Sequence, residues 1–166
     1  DGIAGDDELS LTEAQFSSVW SPVAINKLAH YKSLKRKCTD EEFAQVYQEA
    51  LNVVTPLALM SREDQLYGIA SALRVVDDGS MAYSMEANHY NDPYGYFVLR
   101  TASCAGCARA TALCLDILGI PCEHVNENQY THQWCRVPME DGSYWICDAF
   151  GLYCGPEPEP YQHPYF

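Results

Sequence analysis

Basic residues are scarce in this chain: 10 Lys and Arg stand against 23 Asp and Glu, for a formal charge of −13. A chain so acidic has no basic stripe with which to follow a phosphate backbone, which excludes nucleic acid as a partner. The one basic cluster, Lys32–Lys37 (KSLKRK), reads as the solvated face of a helix. Long apolar runs are lacking as well. The longest, Leu51–Met60, is broken by Asn52, Thr55 and Pro56, so no membrane-spanning helix is expected. An initiator Met and a signal-like start are also missing. With the acidity and the many tyrosines, this gives the expectation of a trimmed, secreted or surface-attached bacterial protein, extracellular or at the cell surface.

What is present is an ordinary globular composition, 48% apolar and 12% aromatic. The 166 residues suffice for one domain with a real core and are too few for two. The Gly/Asp-rich residues 1–9 are expected to be a flexible segment, and residues 10–166 one domain. Eight cysteines are many for a cytosolic protein and few for a disulfide scaffold. Most fall inside apolar elements, where a thiol packs as a small hydrophobe.

The first half of the chain is helical in pattern. Ser10–Cys38 carries helical faces interrupted at Ser21-Pro22. Thr39-Asp40-Glu41-Glu42 forms a capping box before Phe43, Val46, Tyr47, Ala50 and Val54, and Pro56 ends that helix. Ser61 starts another, carrying Leu66, Ile69, Ala70, Leu73 and Val76, and Asp77-Asp78-Gly79 stops it. Residues 81–103 have no clear period and read as an irregular stretch with short extended pieces. Cys104–Leu118 is a strongly apolar helix closed by Gly119 and Pro121. Beyond it the period becomes two, giving strands at Cys122–Val125, His132–Val137 and Tyr144–Cys147. The tail from Gly155 holds too much proline for either regular element and is expected to pack by its aromatics. Helices, one buried helix and then an antiparallel sheet make an α+β fold.

The segment SCAGCARATALC (103–114) concentrates three cysteines and admits several readings. A structural zinc site needs two ligand pairs, and Cys104-x-x-Cys107 supplies one. His132 and Cys135 would project to opposite faces of a strand, so no metal is expected. A redox pair fits C-x-x-C at a helix start, where the dipole favours a thiolate. The strand and βαβ unit of a thioredoxin-like fold are nevertheless missing ahead of it. Cys104, Cys107, Ala108 and Thr111 also share one helix face and could be packing residues alone.

Downstream residues add a further reading. His132 and Asp148 lie on neighbouring strands, so with Cys104 the chain offers a nucleophile, a base and an orienting acid. The pairing register tests this. A two-residue Asp141-Gly142 turn would set His132 and Asp148 on opposite faces. A three-residue loop, Glu140–Gly142 with Gly142 in the left-handed region, makes Trp134 oppose Asp148 and brings His132 to the same face.

SCAGCARATALCLDILGIPCEHV, THQWCRV and DGSYWICDAFG together resemble the transglutaminase-like superfamily of papain-type cysteine enzymes, over roughly residues 60–150. The resemblance implies helices packed on an antiparallel sheet, with Cys104 as nucleophile at the start of a central helix. It makes His132 the base and Asp148 the orienting acid. Cys107 falls where the family often has an aromatic residue, and Ala149-Phe150 replaces the Pro-Thr that often follows the acid. The implied chemistry is acyl transfer from an amide, without cofactor: hydrolysis of a peptide, isopeptide or cell-wall amide, or transfer to an amine in a cross-linker. The substrate would be a protein, a peptide or cell-wall peptide. The Cys104 backbone N–H would hold part of the oxyanion, with Tyr83, Tyr90 and Gln129 as candidates for the second donor. The alternatives are a non-catalytic binding or assembly module on the same fold, and a thiol-disulfide oxidoreductase using Cys104 and Cys107.

Overall fold

The computed structural model describes residues 12–75, 78–151 and 153–158 of the 166-residue chain. The expected flexible segment 1–9, the stop at Asp77 and the aromatic packing of the tail lie outside these residues.

Local sequence signals account for most of the helices. α1 (Glu13–Val19) opens on Thr12, and a short α2 (Tyr31–Lys35) follows a 3-10 turn at Ile25–Lys27. α3 (Asp40–Val54) starts at the expected capping box, with the Glu42 N–H donating to the Thr39 hydroxyl at 3.1 Å and the Thr39 N–H to Glu42 at 2.9 Å. Its buried face carries Phe43, Val46, Ala50 and Val54. Each such side chain removed from water contributes about 1.5–3 kcal/mol for the larger ones. Pro56, which cannot donate to the ladder, sits in a 3-10 turn (Thr55–Leu57) that closes the helix. α4 (Arg62–Ala72) is capped by Ser61 and ends before the expected Val76, at Leu73, whose N–H bonds back to Ile69.

Between the helices and the sheet, residues 81–103 form two short parallel strands, β1 (Ala82–Tyr83) and β2 (Thr101–Ala102). A π-helical turn at Gly95–Leu99 separates them, which the sequence pattern did not predict. The Asp92 carboxylate accepts the N–H groups of Tyr94 and Gly95 at its start. A side chain at Gly95 would put its Cβ 1.9 Å from the His89 carbonyl oxygen, so only glycine permits this turn.

α5 (Cys104–Leu118) has the predicted bounds and is buried at every residue but Leu118. Gly119, at φ +78°, ends it, with its N–H bonded to the Asp116 carbonyl and that of Ile120 to the Leu115 carbonyl. α5 packs against α3 on one side and, on the other, against the sheet. That sheet is antiparallel, in the order β3 (Glu123–Val125), β4 (Trp134–Pro138), β5 (Tyr144–Asp148) and β6 (Tyr153–Pro156). The strand β6 corrects the reading of the tail as too proline-rich to be regular. It lies at the sheet edge, where Pro156 needs no donor for an outer neighbour. The architecture is mixed helix and antiparallel sheet, α+β.

The β4–β5 register follows from its turn. Cys135 opposes Cys147 and Pro138 opposes Tyr144, a pairing that sets Trp134 against Asp148 when continued by one step. Met139 N–H bonds the Ser143 carbonyl at 2.8 Å, leaving Glu140, Asp141 and Gly142 as a three-residue loop. Gly142 has φ +88°, the left-handed conformation that this loop requires.

Candidate active site

Cys104 is the first residue of α5, where the helix N–H groups are not yet used by the ladder. The Ser103 side chain takes the Gly106 N–H at 3.4 Å, and the N–H groups of Cys104 and Ala105 have no partner within the helix. Ser103 is itself held by Tyr90, whose carbonyl accepts both its N–H (2.9 Å) and its hydroxyl (3.1 Å). Gly106 makes that approach possible, because a Cβ there would lie 2.6 Å from the same carbonyl. Residues 90–106 are thereby fixed around the thiol.

His132, expected to open the strand, lies two residues before β4, and Asp148 ends β5; both are buried, at 4% and 2% exposure. The His132 Nε2–H donates to Asp148 Oδ2 at 2.7 Å. The other carboxylate oxygen accepts the Gly151 N–H at 2.7 Å, so both oxygens of Asp148 are used. The Asn126 amide donates to the His132 carbonyl at 3.0 Å and holds the backbone on the other side. Burial pushes the imidazole towards its neutral form. The hydrogen bond with Asp148 and the Cys104 thiol beside the ring more than reverse this, raising the pKa to about 9. At neutral pH the ring therefore favours its charged, imidazolium form, with Nε2–H directed to Asp148. The rings of Trp134 and Phe150 lie 5.7 and 6.1 Å from His132 and screen the pair from water. The Trp134 indole N–H is buried without a partner among the described residues.

Cys104 opens onto a cleft of about 340 Å³, bounded near the thiol by Tyr90, Ser103, Ala105, Thr131 and Gln133. Of the three oxyanion candidates, Tyr90 and Gln129 line this cleft and Tyr83 does not. Tyr83 instead packs its ring 5.6 Å from Phe150. Gln133, not singled out from the sequence, lines the cleft too, but its amide is engaged by the Gln129 carbonyl and by His124. Cys107 is fully buried one turn along α5, and burial, followed by the nearby Asp148 charge, drives its pKa well above the ordinary thiol value. That environment makes it a poor resolving thiolate. All eight cysteines are free thiols.

Sequence reasoning missed Arg109, which is buried and carries no apolar signal. Its guanidinium donates to Ser33 (3.2 Å), the Asn91 carbonyl (2.8 Å), Glu127 (3.0 Å) and Asn128 (3.3 Å). These partners come from three separate stretches of chain, and no spacing rule joins them. Arg109 thereby fastens the loop 126–131, one wall of the cleft, to α5. Among the described residues, two other groups have donor sets suited to a cation: His30, Asp116 and Cys122, and Cys38, His89 and Asp92. Neither contains Cys104, Cys107, His132 or Cys135.

No protein-family model matches the sequence, and no curated protein matches it significantly.

Proposed function

We propose that this protein is a cysteine-dependent amidase or peptidase on a papain/transglutaminase-like core, with Cys104 as nucleophile, His132 as acid–base and Asp148 as orienting acid. The observation that carries the reading is the position of His132. One ring nitrogen is tied to Asp148 at 2.7 Å, and the ring is flanked by a thiol at the start of a buried helix that opens on a cleft.

The chemistry balances with these groups alone. The Cys104 thiolate attacks the carbonyl carbon of a bound amide; a C–S bond forms and the C=O pair moves onto oxygen. The Cys104 and Ala105 N–H groups stabilise that oxyanion, and Tyr90 and Gln129, which line the cleft, are the candidates for a further donor. As the C–N bond breaks, the imidazolium gives its proton to the departing amine nitrogen. Water then attacks the thioester and His132 takes its proton. The C–S bond breaks, releasing a carboxylic acid and restoring the thiolate–imidazolium pair. Asp148 keeps its charge throughout and holds the ring in place. Transfer to an amine in place of water uses the same groups.

A panel of peptide, isopeptide and cell-wall amides, with Cys104→Ala as control, tests the reading. Turnover of at least one amide that vanishes in the variant is the expected result. Equal, slow labelling of all eight thiols by iodoacetamide, with no turnover, would instead favour a binding module.

A further inference from the structure

The cleft departs in charge from the rest of the molecule. The chain as a whole carries −13, yet the residues lining the cleft include two arginines, Arg36 and Arg109, and no Asp or Glu. Arg36 ends α2 in a left-handed conformation, φ +44°, and is exposed. It belongs to the basic segment 32–37 expected to be a solvated face, and the fold turns this residue to the cleft instead. Arg109 lies at 1% exposure on the floor.

The local charge is only partly neutralised. Glu127 is the one carboxylate paired with Arg109, and it also accepts from Ser33. Burial works against its charged form, but the hydrogen bonds from Ser33 and Arg109 hold its carboxyl below the usual range, so it counts as one negative charge. His124, nearby, is neutral at pH 7, because burial and then Arg109 push its pKa down to about 4. Burial and next the Arg36 charge also push the Arg109 pKa down, as expected for two like charges facing one cleft. The lining itself thus carries two cations, offset beneath Arg109 by Glu127 and by the charge of Asp92, which is itself paired with His89, in a partly enclosed site where the field is weakly screened.

Resting on the reading of Cys104 as nucleophile, we infer that the cleft selects an acidic peptide: an acyl donor with an Asp or Glu side chain one or two residues from the scissile amide, held by Arg36 over Arg109. The spacing follows from the helix. Arg109 is five residues beyond Cys104 on α5, about 7.5 Å along the axis, and an extended peptide advances about 3.3 Å per residue. On that scale Arg109 lies about two residues of extended chain from Cys104. Side-chain amides of Asn91 and Asn128 and the rings of Tyr90 and Tyr130 provide the polar and apolar walls for the intervening backbone.

The test is binding, which does not depend on turnover. Fluorescence anisotropy with Cys104→Ala measures Kd for matched labelled peptides that differ only in Glu or Gln two residues from the central amide. The Glu peptide is expected to bind about tenfold tighter at low salt, with the preference falling as salt screens it. Arg36→Gln should remove most of the preference, and Lys27→Gln, outside the cleft, should leave it. Equal affinity for the two peptides, a preference untouched by Arg36→Gln, or no binding of either peptide would overturn the inference. Glu-selective binding with no hydrolysis by the wild-type protein would uphold the acidic-ligand site and defeat the amidase reading, so the two failures are distinct.

Discussion

The two ends of α5 each hold a cysteine, a histidine and an aspartate, and they differ in what surrounds them. At the N-terminal end are Cys104, His132 and Asp148. At the C-terminal end Asp116 accepts from the His30 backbone N–H (2.8 Å) and from its Nδ1 (2.9 Å), with Cys122 close by. Both histidines have pKa values raised to about 9: at His132 burial pulls the other way and the Asp148 and Cys104 contacts outweigh it, and at His30 the cause is chiefly the hydrogen bond it donates to Asp116. Helix polarity separates them. Cys104 sits at the helix start, among N–H groups that the helix ladder leaves unused, whereas Cys122 follows the Gly119 cap, on the carbonyl end. Cys104 also faces a cleft that Cys122 does not line. The second cluster reads as a brace fastening the start of α2 to α5. What sets the Cys104 cluster apart is therefore its place at a helix start and beside a cleft, and on these two differences the proposed chemistry rests.

The largest effect that would sharpen this contrast is loss of the nucleophile. Cys104→Ala should lower amide turnover at least 10³-fold, while Cys122→Ala should leave kcat per folded molecule unchanged. Comparable losses in both would erase the distinction. The two aspartates come next. Asp148→Asn should lower kcat about 10²-fold or more with the fold retained, by disturbing the His132 tautomer. Asp116→Asn should do the reverse, lowering Tm with kcat intact; kinetics and thermal melts on both variants decide the matter.

Acid–base behaviour provides a third, smaller effect. Both histidines have folded pKa values above the ordinary 6.5, so the stability they add is full below about pH 6.5 and is lost as pH rises through about 9. For buried His132 this is on the order of a few kcal/mol. Thermal melts should fall across that window, and Asp148→Asn and Asp116→Asn should each remove part of the slope. A flat profile in the wild type would contradict both pairs. The smallest effect belongs to Gly142. With φ +88° and open space around it, Gly142→Val meets no clash but strains the backbone, costing about 1–2 kcal/mol and a few-fold in activity through the β4–β5 register. Urea melts with a parallel rate assay measure both.

Which of these features were readable in the sequence depends on how locally each is encoded. The capping box at Thr39, the bounds of α5 and its Gly119 cap are written in a few neighbouring residues, and each is found where the pattern puts it. The Glu140–Gly142 loop was legible for a different reason: strand alternation has period two, so requiring His132 and Asp148 on one face leaves an odd loop. The π turn at Gly95 was not legible, because its cause is the His89 carbonyl packed against the glycine, a tertiary contact. Arg109 escaped for the same reason, since its partners are distributed over separate loops. β6 was hidden by the prolines of the tail; the one it contains, Pro156, is tolerated at the sheet edge.

Trapping the acyl-enzyme tests the central claim most directly. The protein is mixed with an activated ester of a short acyl peptide, quenched in acid within the first turnover and mapped by mass spectrometry. The account predicts one acyl group, as a thioester on Cys104, absent from Cys104→Ala. Acyl groups spread over Cys122, Cys154 and other thiols, or unchanged turnover by Cys104→Ala, would contradict it.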